Sequence, residues 1–346
     1  MKKVFLILLF FPYFGFGQQT INDSILVNSN YRSFITYIPS LYQTSQPVPL
    51  VLNFHGLTGN SFSSMFHSDF RSIADTASFI IVYPQGLLNS TGQTHWNVGQ
   101  LGTSIDDIEF ISLLLDSLSS KYNINSDRVY STGMSNGAYM SYRLSCDLSD
   151  KIAAIAPVAG SYISYMLNSC NPTHPTPILH IHGVADSSSI YYGKPGVESV
   201  PSIISFWLNY NQCDTQSIFI QIPDINIIDS STVEHYVWKN CINEIDVEHF
   251  KIIDGGHTWP GSNFPNVSGG ITNYDINASL EIWKFFSRYD IYGLINSPLD
   301  IVENNIERRD IIKVIDLFGR EVVESINTLL FYIYNDGTVE KKIILE

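Results

Sequence analysis

The sequence contains few charged residues, and basic residues are the scarcest. Lysine and arginine number 19 against 33 aspartates and glutamates, which gives a formal net charge of -14 in a chain of 346 residues. Only 15% of the residues are charged, so the surface is weakly charged but acidic overall. A surface with net negative charge repels phosphate backbones, which disfavours nucleic-acid binding. Apolar residues make up 45% of the chain, which is ample for a packed core and argues against a disordered chain.

The apolar run near the start is too short to cross a bilayer, which takes ~20 residues. In "MKKVFLILLFFPYFGFGQQT" it extends from Val4 to Phe14, after two lysines and before Gly15 and Gly17. A basic start, a short apolar stretch and small residues at alternate positions are typical of a secretory signal. We expect residues 1–17 to be a signal peptide cleaved after Gly17, and the mature chain to be secreted without stable membrane insertion. An uncleaved anchor is the alternative.

Cysteine is also scarce. The chain has four cysteines and no Cys-x-x-Cys pair, so a zinc ribbon or a redox motif is unsupported. In a chain that leaves the reducing cytoplasm, the cysteines are expected to form disulfides. Of the three possible pairings, we favour the one that closes short loops, which joins Cys146 to Cys170 and Cys213 to Cys241.

Strand-like apolar segments alternate with helical segments over residues 49–289. The predicted strands are 49–56, 79–86, 128–133, 152–160, 177–183 and 247–256. One amphipathic helix is predicted to begin behind Ser104 as its N-cap, a second follows Ser135, and a third covers residues 275–289. Such alternation predicts an α/β fold with a mostly parallel sheet covered on both faces.

The pattern changes at about residue 291. Residues 291–308 resemble a linker, and residues 309–346 contain short alternating strands with a break at Phe318 and Gly319 and a turn signal at 335–337. The predicted organisation is a signal peptide (1–17), an α/β domain (18–290), a linker (291–308) and a small C-terminal β module (309–346). The chain has no long repeat and no low-complexity tract.

The segment "STGMSNGAYM", residues 131–140, places Ser135 between Gly133 and Gly137 where a predicted strand meets a predicted helix. In a nucleophile elbow the backbone turns so sharply that side chains two positions before and after the serine would collide with neighbouring structure. A lone G-x-S-x-G sequence arises by chance, and a serine in an ordinary glycine-rich turn is the alternative. The position between strand and helix favours Ser135 as a nucleophile.

A serine alcohol needs a base within hydrogen-bond reach and a carboxylate that fixes the tautomer of that base. In elbow-type enzymes the chain order is serine, acid, histidine, with the acid and the histidine on loops that leave later strands. Asp186 follows the strand in "ILHIHGVAD", and His257 follows the strand in "FKIIDGGH". We therefore predict a triad of Ser135, Asp186 and His257.

Other acids and histidines fit these positions less well. Asp254 is too close in sequence to His257 to approach its ring from the far side, and three further aspartates follow no predicted strand: Asp214, Asp224 and Asp229. Three histidines lie on or at the ends of predicted strands before the acid, which is the wrong order for the base: His55, His180 and His182. Four others lack a glycine-flanked loop: His95, His174, His235 and His249.

Two backbone amides are needed to stabilise the oxyanion of the transition state. The first is typically that of the residue after the nucleophile, here Asn136. The second comes from the loop after an early strand, here "FHGLTGN", in which Leu57 is the candidate. Trp96 and Trp259 are predicted to form walls of the acyl or alcohol pocket, with core packing as the alternative.

A zinc site is a competing interpretation of the histidines in "ILHIHG". His180 and His182 lie on one strand face at i and i+2, and they could bind zinc together with His55 or Asp186. Histidines that pack in the core or anchor a loop are the ordinary interpretation of such a pair. We therefore expect no metal and no cofactor.

Seven motifs resemble, in the same order, those of secreted polyhydroxybutyrate depolymerase-type esterases, which are related to feruloyl and acetylxylan esterases. They are "HGLTGN", "YPQG", "WNVG", "IDDIEFI", "DRVYSTGMSNGAYMSYRLSCDLSDKIAAIAPVAG", "PILHIHGVAD" and "GGHTWPG". The resemblance covers residues 30–290 approximately. It implies an α/β-hydrolase fold, a serine esterase with Ser135, Asp186 and His257 as its triad, and the two disulfides favoured above.

The chain departs from that family around the pocket. It has "DSSSIYYG" where the family commonly has a proline and valines after the acid, and Leu57 stands where many members have cysteine. These changes affect the predicted pocket rim and leave the substrate open, but they do not touch the triad.

The C-terminal stretch "VIDLFGREVV" through "FYIYNDGTVEKKIILE" resembles the sorting domains that Gram-negative bacteria with a type IX secretion system use for export. The resemblance implies that the secretion machinery is a partner of this module. A generic polymer-binding β module is the alternative.

These observations predict a secreted serine esterase that forms an acyl-enzyme. The expected substrate is a polyester such as poly(3-hydroxybutyrate) or its oligomers, and a feruloylated or acetylated plant polysaccharide is the main alternative. A hypothesis from another class is a non-catalytic surface protein that binds polymer. The presence of all three triad residue types argues against that hypothesis.

Overall fold

The computed structural model describes residues 17–99, 103–265, 267–295, 311–315, 320, 322, 329–334 and 339–343. The predicted signal peptide lies outside these residues except for Gly17, and of the predicted linker only residues 291–295 are included. The chain divides into two compact units, Met1–Ile295 and Asn296–Glu346, and the division falls inside the predicted linker.

Short strands and helices alternate through the first unit, as the sequence predicts. In chain order the strands of the described residues are β1 (Gln19–Val27), β2 (Asn30–Ile38), β3 (Val48–Phe54), β4 (Ile80–Pro84), β5 (Leu87–Leu88), β6 (Thr94–His95), β7 (Ile124–Met134), β8 (Ala154–Val158), β9 (Ile178–Gly183), β10 (Ile218–Gln221), β11 (Thr232–Trp238), β12 (Val247–Ile253), β13 (Tyr289–Asp290), β14 (Gly293–Leu294), β15 (Ile311–Ile315), β16 (Leu329–Tyr334) and β17 (Val339–Ile343).

The helices lie between strands of the first unit. In chain order they are α1 (Ser61–His67), α2 (Arg71–Ala77), α3 (Asp107–Lys121), α4 (Asn136–Asp147), α5 (Ser164–Ser169), α6 (Val200–Tyr210) and α7 (Ala278–Phe286), with 3-10 turns at Ile242–Glu244 and Val267–Gly269. None of the helices in the described ranges is long and apolar enough to cross a membrane.

A ten-stranded sheet in the order β1-β2-β4-β3-β7-β8-β9-β12-β11-β10 forms the centre of the first unit. Its six inner strands, from β4 to β12 in this order, are parallel to one another. The two strands at each end pair antiparallel. The carboxyl ends of the inner strands therefore meet at one edge, and the loops that follow them lie there.

Side chains of the inner strands alternate between two cores, one on each face of the sheet. Leu50 and Leu52 of β3 pack on the face covered by α3, α4 and α6, whereas Val51 packs on the face covered by α1, α2 and α7. All three are fully buried. Strands buried on both faces explain why these segments appear in the sequence as continuous apolar runs.

Helix α3 begins two residues later than the sequence predicts. Its N-cap is Asp106, whose carboxylate accepts the amide of Glu109 at 3.0 Å, whereas Ser104 precedes the helix. Asp107 is fully buried and pairs with Arg32 at 2.6 Å. The cap was misassigned because an aspartate serves as well as a serine, and a buried pair between residues 75 positions apart leaves no local pattern.

The second unit contains a small antiparallel sheet of three strands in the order β15-β16-β17. Leu330 and Tyr332 are buried, and Val314 and Val322 pack against them. The alternating strands of the C-terminal β module are thus present. The predicted turns at 318–319 and 335–337 lie outside the described residues.

Candidate active site

Ser135 lies between the last residue of β7 and the first residue of α4. Its backbone has φ 57° and ψ -121°, a sparsely populated region for any residue other than glycine. The Ser135 amide donates to the carbonyl of Val158 at 3.0 Å, and the Ser135 carbonyl accepts the amide of Ala138 at 2.8 Å. Strain of this kind costs about 1–3 kcal/mol and persists only where the surrounding structure holds it.

Gly133 and Gly137 are required by close backbone packing on both sides of Ser135. A Cβ atom at Gly133 would lie 2.6 Å from the carbonyl oxygen of Phe54, and one at Gly137 would lie 2.1 Å from the same oxygen. Neither distance is compatible with a side chain. The turn therefore has the geometry of a nucleophile elbow.

Asp186 follows β9 and is buried, with both carboxylate oxygens hydrogen-bonded. Oδ1 accepts the amides of Ser188 and Ser189, each at 2.8 Å. Oδ2 lies 2.7 Å from Nδ1 of His257 and 3.3 Å from Nε2 of His182. Burial by itself would raise the pKa of Asp186, but the hydrogen bonds from His182 and His257 outweigh burial and hold this pKa well below its ordinary value.

His257 follows β12, and its position relative to Asp186 fixes its tautomer. Because an ionised carboxylate only accepts hydrogen bonds, the proton of a neutral His257 ring is on Nδ1, and Nε2 carries a lone pair. The other candidate acids do not contact His257, since Asp254 is exposed and Asp229 accepts hydrogen bonds from Ser231 and Tyr274.

Ser135 and His257 line one cavity of about 590 Å³. Its other walls include Leu57, Phe66, Met134 and Phe264, so the space beside the two polar groups is mainly apolar. An imidazole with an unprotonated Nε2 in the same cavity as an alcohol is a candidate general base, and the walls can accept an apolar group.

The two candidate oxyanion amides lie close to Ser135. Gly56 passes next to Ser135, because a Cβ atom at Gly56 would lie 3.4 Å from Cβ of Ser135, and Leu57 follows it in the cavity wall. Within the described ranges, neither the amide of Leu57 nor that of Asn136 donates a hydrogen bond to another residue. Both amides are therefore free to donate to a ligand oxygen.

His55 orients the peptide bond that carries the Leu57 amide. Its Nε2 accepts the amide of Gly86 at 2.9 Å, so the ring proton is on Nδ1, which donates to the carbonyl of Gly56 at 2.7 Å. That carbonyl and the Leu57 amide belong to one planar unit. Burial lowers the pKa of His55 to about 4, so its ring stays neutral at pH 7.

The structure corrects the prediction that Trp96 and Trp259 form pocket walls. Both indoles are buried in the core, 0% and 1% exposed, and neither lines the cavity. Trp259 packs against Phe70 and donates to Ser279 at 3.1 Å. The prediction failed because proximity in sequence to His257 does not determine the direction of a side chain.

Trp96 instead connects the two segments that carry the candidate oxyanion amides. Its indole nitrogen donates to the carbonyl of His55 at 2.9 Å. Its backbone amide donates to the side-chain oxygen of Asn136 at 2.7 Å, and its carbonyl accepts the side-chain amide of Asn136 at 3.2 Å. Trp96 thus braces the loop after β3 against the start of α4.

His180 and His182 hydrogen-bond to each other instead of forming a ligand set. Nε2 of His180 lies 3.1 Å from Nδ1 of His182, and both rings are buried. In the part of the chain that the structure describes, no group of three or more histidine, cysteine or acidic side chains is arranged to hold a metal ion.

Both favoured disulfides are present. Cys146 is bonded to Cys170 and Cys213 to Cys241, with sequence separations of 24 and 28 residues. The first joins the end of α4 to the residue after α5. The second joins the segment after α6 to the segment after β11.

Several residues near the cavity were not singled out from the sequence. Phe62, Phe66 and Phe264 form a row of aromatic rings, with ring centroids 5.1 and 6.0 Å apart. His67 donates from Nδ1 to the carbonyl of Phe264 at 2.8 Å, and Ser262 donates to the carbonyl of His67 at 2.7 Å. The spacing of Phe62 and Phe66 at i and i+4 in a helix was the one available signal.

No family model matches the chain. Among curated proteins, the chain is similar to a bifunctional acetylxylan esterase/xylanase of Neocallimastix patriciarum, with 28% identity over 83% of this chain and 39% of that protein. It is similar to feruloyl esterase B of Piromyces equi, with 30% identity over 65% of this chain and 42% of that protein. The chain thus spans about two fifths of the length of these relatives.

Similarity also extends to poly(3-hydroxyalkanoate) depolymerase C of Paucimonas lemoignei, with 25% identity over 69% of this chain and 63% of that protein. Among solved structures, acetyl xylan esterase from Aspergillus awamori superimposes with a TM-score of 0.54 and 16% identity, over 78% of this chain and 99% of that chain. Together with the strand order and the elbow at Ser135, this similarity shows that the first unit has an α/β-hydrolase fold.

Proposed function

We propose that the chain is a serine esterase that hydrolyses carboxylic esters through an acyl-enzyme. In this proposal Ser135 is the nucleophile, His257 the general base, and Asp186 the acid that orients His257. The observation that carries the proposal is the His257 ring: its Nδ1 lies 2.7 Å from Oδ2 of Asp186, and the ring lines the same cavity as the strained Ser135.

The residues would carry out two matching steps. Nε2 of His257 takes the proton of the Ser135 alcohol while Oγ attacks the ester carbonyl, and the amides of Leu57 and Asn136 donate to the resulting oxyanion. Collapse of this intermediate breaks the bond to the alcohol, which leaves with the proton from His257. Water then attacks the acyl group by the same route, which releases the acid and restores Ser135.

The first candidate substrate is an acylated plant polysaccharide. The two relatives named first above are an acetylxylan esterase/xylanase and a feruloyl esterase. The apolar cavity of about 590 Å³, with Phe66 and Phe264 in its walls, has room for an aromatic acyl group.

A polyester, which the sequence motifs favoured, is the second candidate. One relative is a poly(3-hydroxyalkanoate) depolymerase, and the same cavity would accept the short aliphatic acyl unit of such a polymer. The exposed rings of Phe62 and Phe264, each 62% exposed, offer apolar surface beside the cavity to a water-insoluble chain.

A fluorophosphonate probe tests the nucleophile. We expect labelling of the wild-type chain and none of Ser135→Ala, with kcat for p-nitrophenyl acetate reduced by on the order of a millionfold. Ser63→Ala is the matched control, because Ser63 also lines the cavity, and this variant is expected to stay labelled and active. A folded wild-type chain that is neither labelled nor active would refute the esterase and favour a non-catalytic polymer-binding protein.

Parallel assays separate the candidate substrates. Acetate release from acetylated xylan, hydrolysis of methyl ferulate and clearing of a poly(3-hydroxybutyrate) suspension are measured with wild type and Ser135→Ala. Hydrolysis of ferulate or acetylxylan without clearing of the polyester supports the first candidate, and the reverse supports the second.

For localisation, we propose that the chain acts outside the cytoplasm. The two disulfides favour an oxidising compartment. The roles of residues 1–17 as a signal peptide and of the C-terminal β module in type IX secretion stay predictions. Comparing export of the full chain with that of a chain ending at residue 295 tests the second role.

A further inference from the structure

Three buried side chains, Tyr142, His180 and His182, form a hydrogen-bonded row that ends next to Asp186. Tyr142 of α4 lies with its hydroxyl 2.6 Å from Nδ1 of His180, and Nε2 of His180 lies 3.1 Å from Nδ1 of His182. At the end of the row, Nε2 of His182 lies 2.7 Å from the carbonyl oxygen of Ser189. All three side chains are at most 1% exposed. The mechanism proposed above uses none of them.

The carbonyl of Ser189 sets the direction of every hydrogen bond in this row. A carbonyl only accepts, so Nε2 of His182 carries a proton, and in the tautomer with that single ring proton Nδ1 accepts. Nε2 of His180 must therefore donate to His182, and Nδ1 of His180 accepts the hydroxyl proton of Tyr142. Burial holds the pKa of His180 well below its ordinary value, which agrees with a neutral ring.

Nε2 of His182 lies near two acceptors of the acid loop. It faces the carbonyl of Ser189 at 2.7 Å and Oδ2 of Asp186 at 3.3 Å. The amide of the same Ser189 holds Oδ1 of Asp186 at 2.8 Å. The carboxylate therefore cannot rotate about its Cβ–Cγ bond without giving up contacts to both His182 and Ser189.

We propose that His182 is a positioning residue, which holds the carboxylate of Asp186 in the plane that His257 requires. This inference rests on the proposed esterase function. It differs from a packing role, in which His182 would only fill space between the ring of His180, 5.2 Å away, and that of Tyr191, 5.8 Å away. A packing role predicts that a ring of similar size preserves the rate.

The test compares variants of the full chain with p-nitrophenyl acetate as substrate. His182→Phe keeps a ring but removes the donor, so kcat is expected to fall about tenfold to a hundredfold, because misplacing a catalytic group by about 1 Å costs on this order. KM should stay within about twofold, since His182 does not line the cavity. His182→Gln, which retains an N–H group near Nε2, should recover most of the loss.

The matched control is His249→Phe. His249 is also buried in this cluster, but it bonds to the carbonyl of His180 and to Tyr191 and does not contact Asp186. The His249→Phe variant should be less stable than the wild type, and its kcat should stay within about twofold of the wild-type value. The proposal is overturned if His182→Phe retains the wild-type kcat, if His182→Gln is as slow as His182→Phe, or if His249→Phe loses as much activity as His182→Phe.

A measurement on the wild-type chain keeps the test independent of whether the variants fold. In nitrogen NMR of the histidine-labelled protein at neutral pH, Nε2 of His182 should be protonated and Nδ1 unprotonated. The opposite tautomer would overturn the proposal, because no proton would then face Asp186. Failure of the esterase function itself is recognised separately, by a folded wild-type chain that is neither labelled nor active, and failure of the proposed nucleophile by Ser135→Ala retaining the wild-type rate.

Discussion

The indole nitrogen of Trp96 donates a hydrogen bond to the backbone carbonyl of His55 at 2.9 Å, although the two residues follow strands of two different sheets, β6 and β3. The carbonyl belongs to the residue just before Gly56 and Leu57, so the bond fixes the start of the loop that carries a candidate oxyanion amide. Trp96 therefore acts from inside the core, and its replacement should affect both stability and rate.

Replacement of Trp96 by phenylalanine should leave the His55 carbonyl without its donor. Because an unsatisfied buried carbonyl costs about 1–3 kcal/mol, the free energy of unfolding should fall by that amount beyond the effect of the smaller ring. We also expect kcat for p-nitrophenyl acetate to fall about tenfold.

Trp207→Phe is the control for Trp96→Phe. Trp207 is equally buried, but within the described residues its indole nitrogen has no hydrogen-bond partner. Urea unfolding of both variants isolates the contribution of the hydrogen bond. Equal losses of stability in the two variants would contradict the role assigned to the Trp96 indole nitrogen.

A methyl group at Gly137 should prevent the elbow from forming. The added Cβ atom would lie 2.1 Å from the carbonyl oxygen of Phe54, which is backbone of the central sheet and cannot move aside. We expect Gly137→Ala to lose about 3 kcal/mol or more, or not to fold. At Gly56 the nearest atoms are 3.4 Å away, so Gly56→Ala should fold. Circular dichroism melts of the two variants give the comparison, and a Gly137→Ala variant as stable as wild type would contradict it.

Truncation of Phe264 should weaken binding of aromatic acyl groups more than it slows the chemistry. Phe264 lines the cavity, and its ring lies 6.0 Å from that of Phe66. Phe264→Ala should raise KM for methyl ferulate at least about fivefold, because loss of apolar contact is worth about 1–3 kcal/mol, while KM for p-nitrophenyl acetate changes little. Phe219→Ala is the control, since Phe219 is similarly exposed on β10 and does not line the cavity. An equal effect on both substrates would refute a role in selecting the acyl group.

Acidification should destabilise the protein through its buried histidines. Burial lowers the pKa of His249 to about 3 and that of His55 to about 4, whereas both would titrate near 6.5 in the unfolded chain. Below about pH 6.5 the unfolded chain therefore binds protons that the folded chain does not. The free energy of unfolding thus decreases as the pH is lowered, until the pKa of the histidine in the folded chain is reached. Each such histidine contributes a slope of up to about 1.4 kcal/mol per pH unit.

His249→Gln tests this slope. The free energy of unfolding in urea is measured at several values between about pH 4.5 and about pH 6 for wild type and variant. The free energy of unfolding of the variant should depend less steeply on pH, with a slope smaller by up to about 1.4 kcal/mol per pH unit, because the variant has one fewer buried histidine that takes up a proton on unfolding. Identical slopes would show that His249 does not stay neutral in the folded chain.

The central sheet and the elbow could be predicted because their signals are local. Strands buried on both faces give continuous apolar runs, and the close approach of Phe54 to Gly133 and Gly137 permits only glycine at those two positions. The chain order of Ser135, Asp186 and His257 follows from the order in which the strands lead to one edge.

Contacts across the sheet could not be predicted, because they depend on which strands become neighbours. Strand β4 lies between β2 and β3, and this insertion is not visible in any local pattern. The pair of Arg32 and Asp107 and the bond from Trp96 to His55 depend on such an arrangement. The inward direction of Trp96 was missed for the same reason, since an indole beside a turn can point either way.

The aromatic walls of the cavity and the proposed triad of Ser135, Asp186 and His257 belong to different segments of the chain. Phe62 and Phe66 are in α1, and Phe264 is in a connection tied to it through His67. None of these residues contributes a hydrogen bond to Asp186 or His257 among those the structure describes. If the proposed function holds, exchanging residues 60–67 together with 262–264 for the equivalent segments of a feruloyl esterase should change the preferred acyl group and leave the contacts of Asp186 and His257 in place.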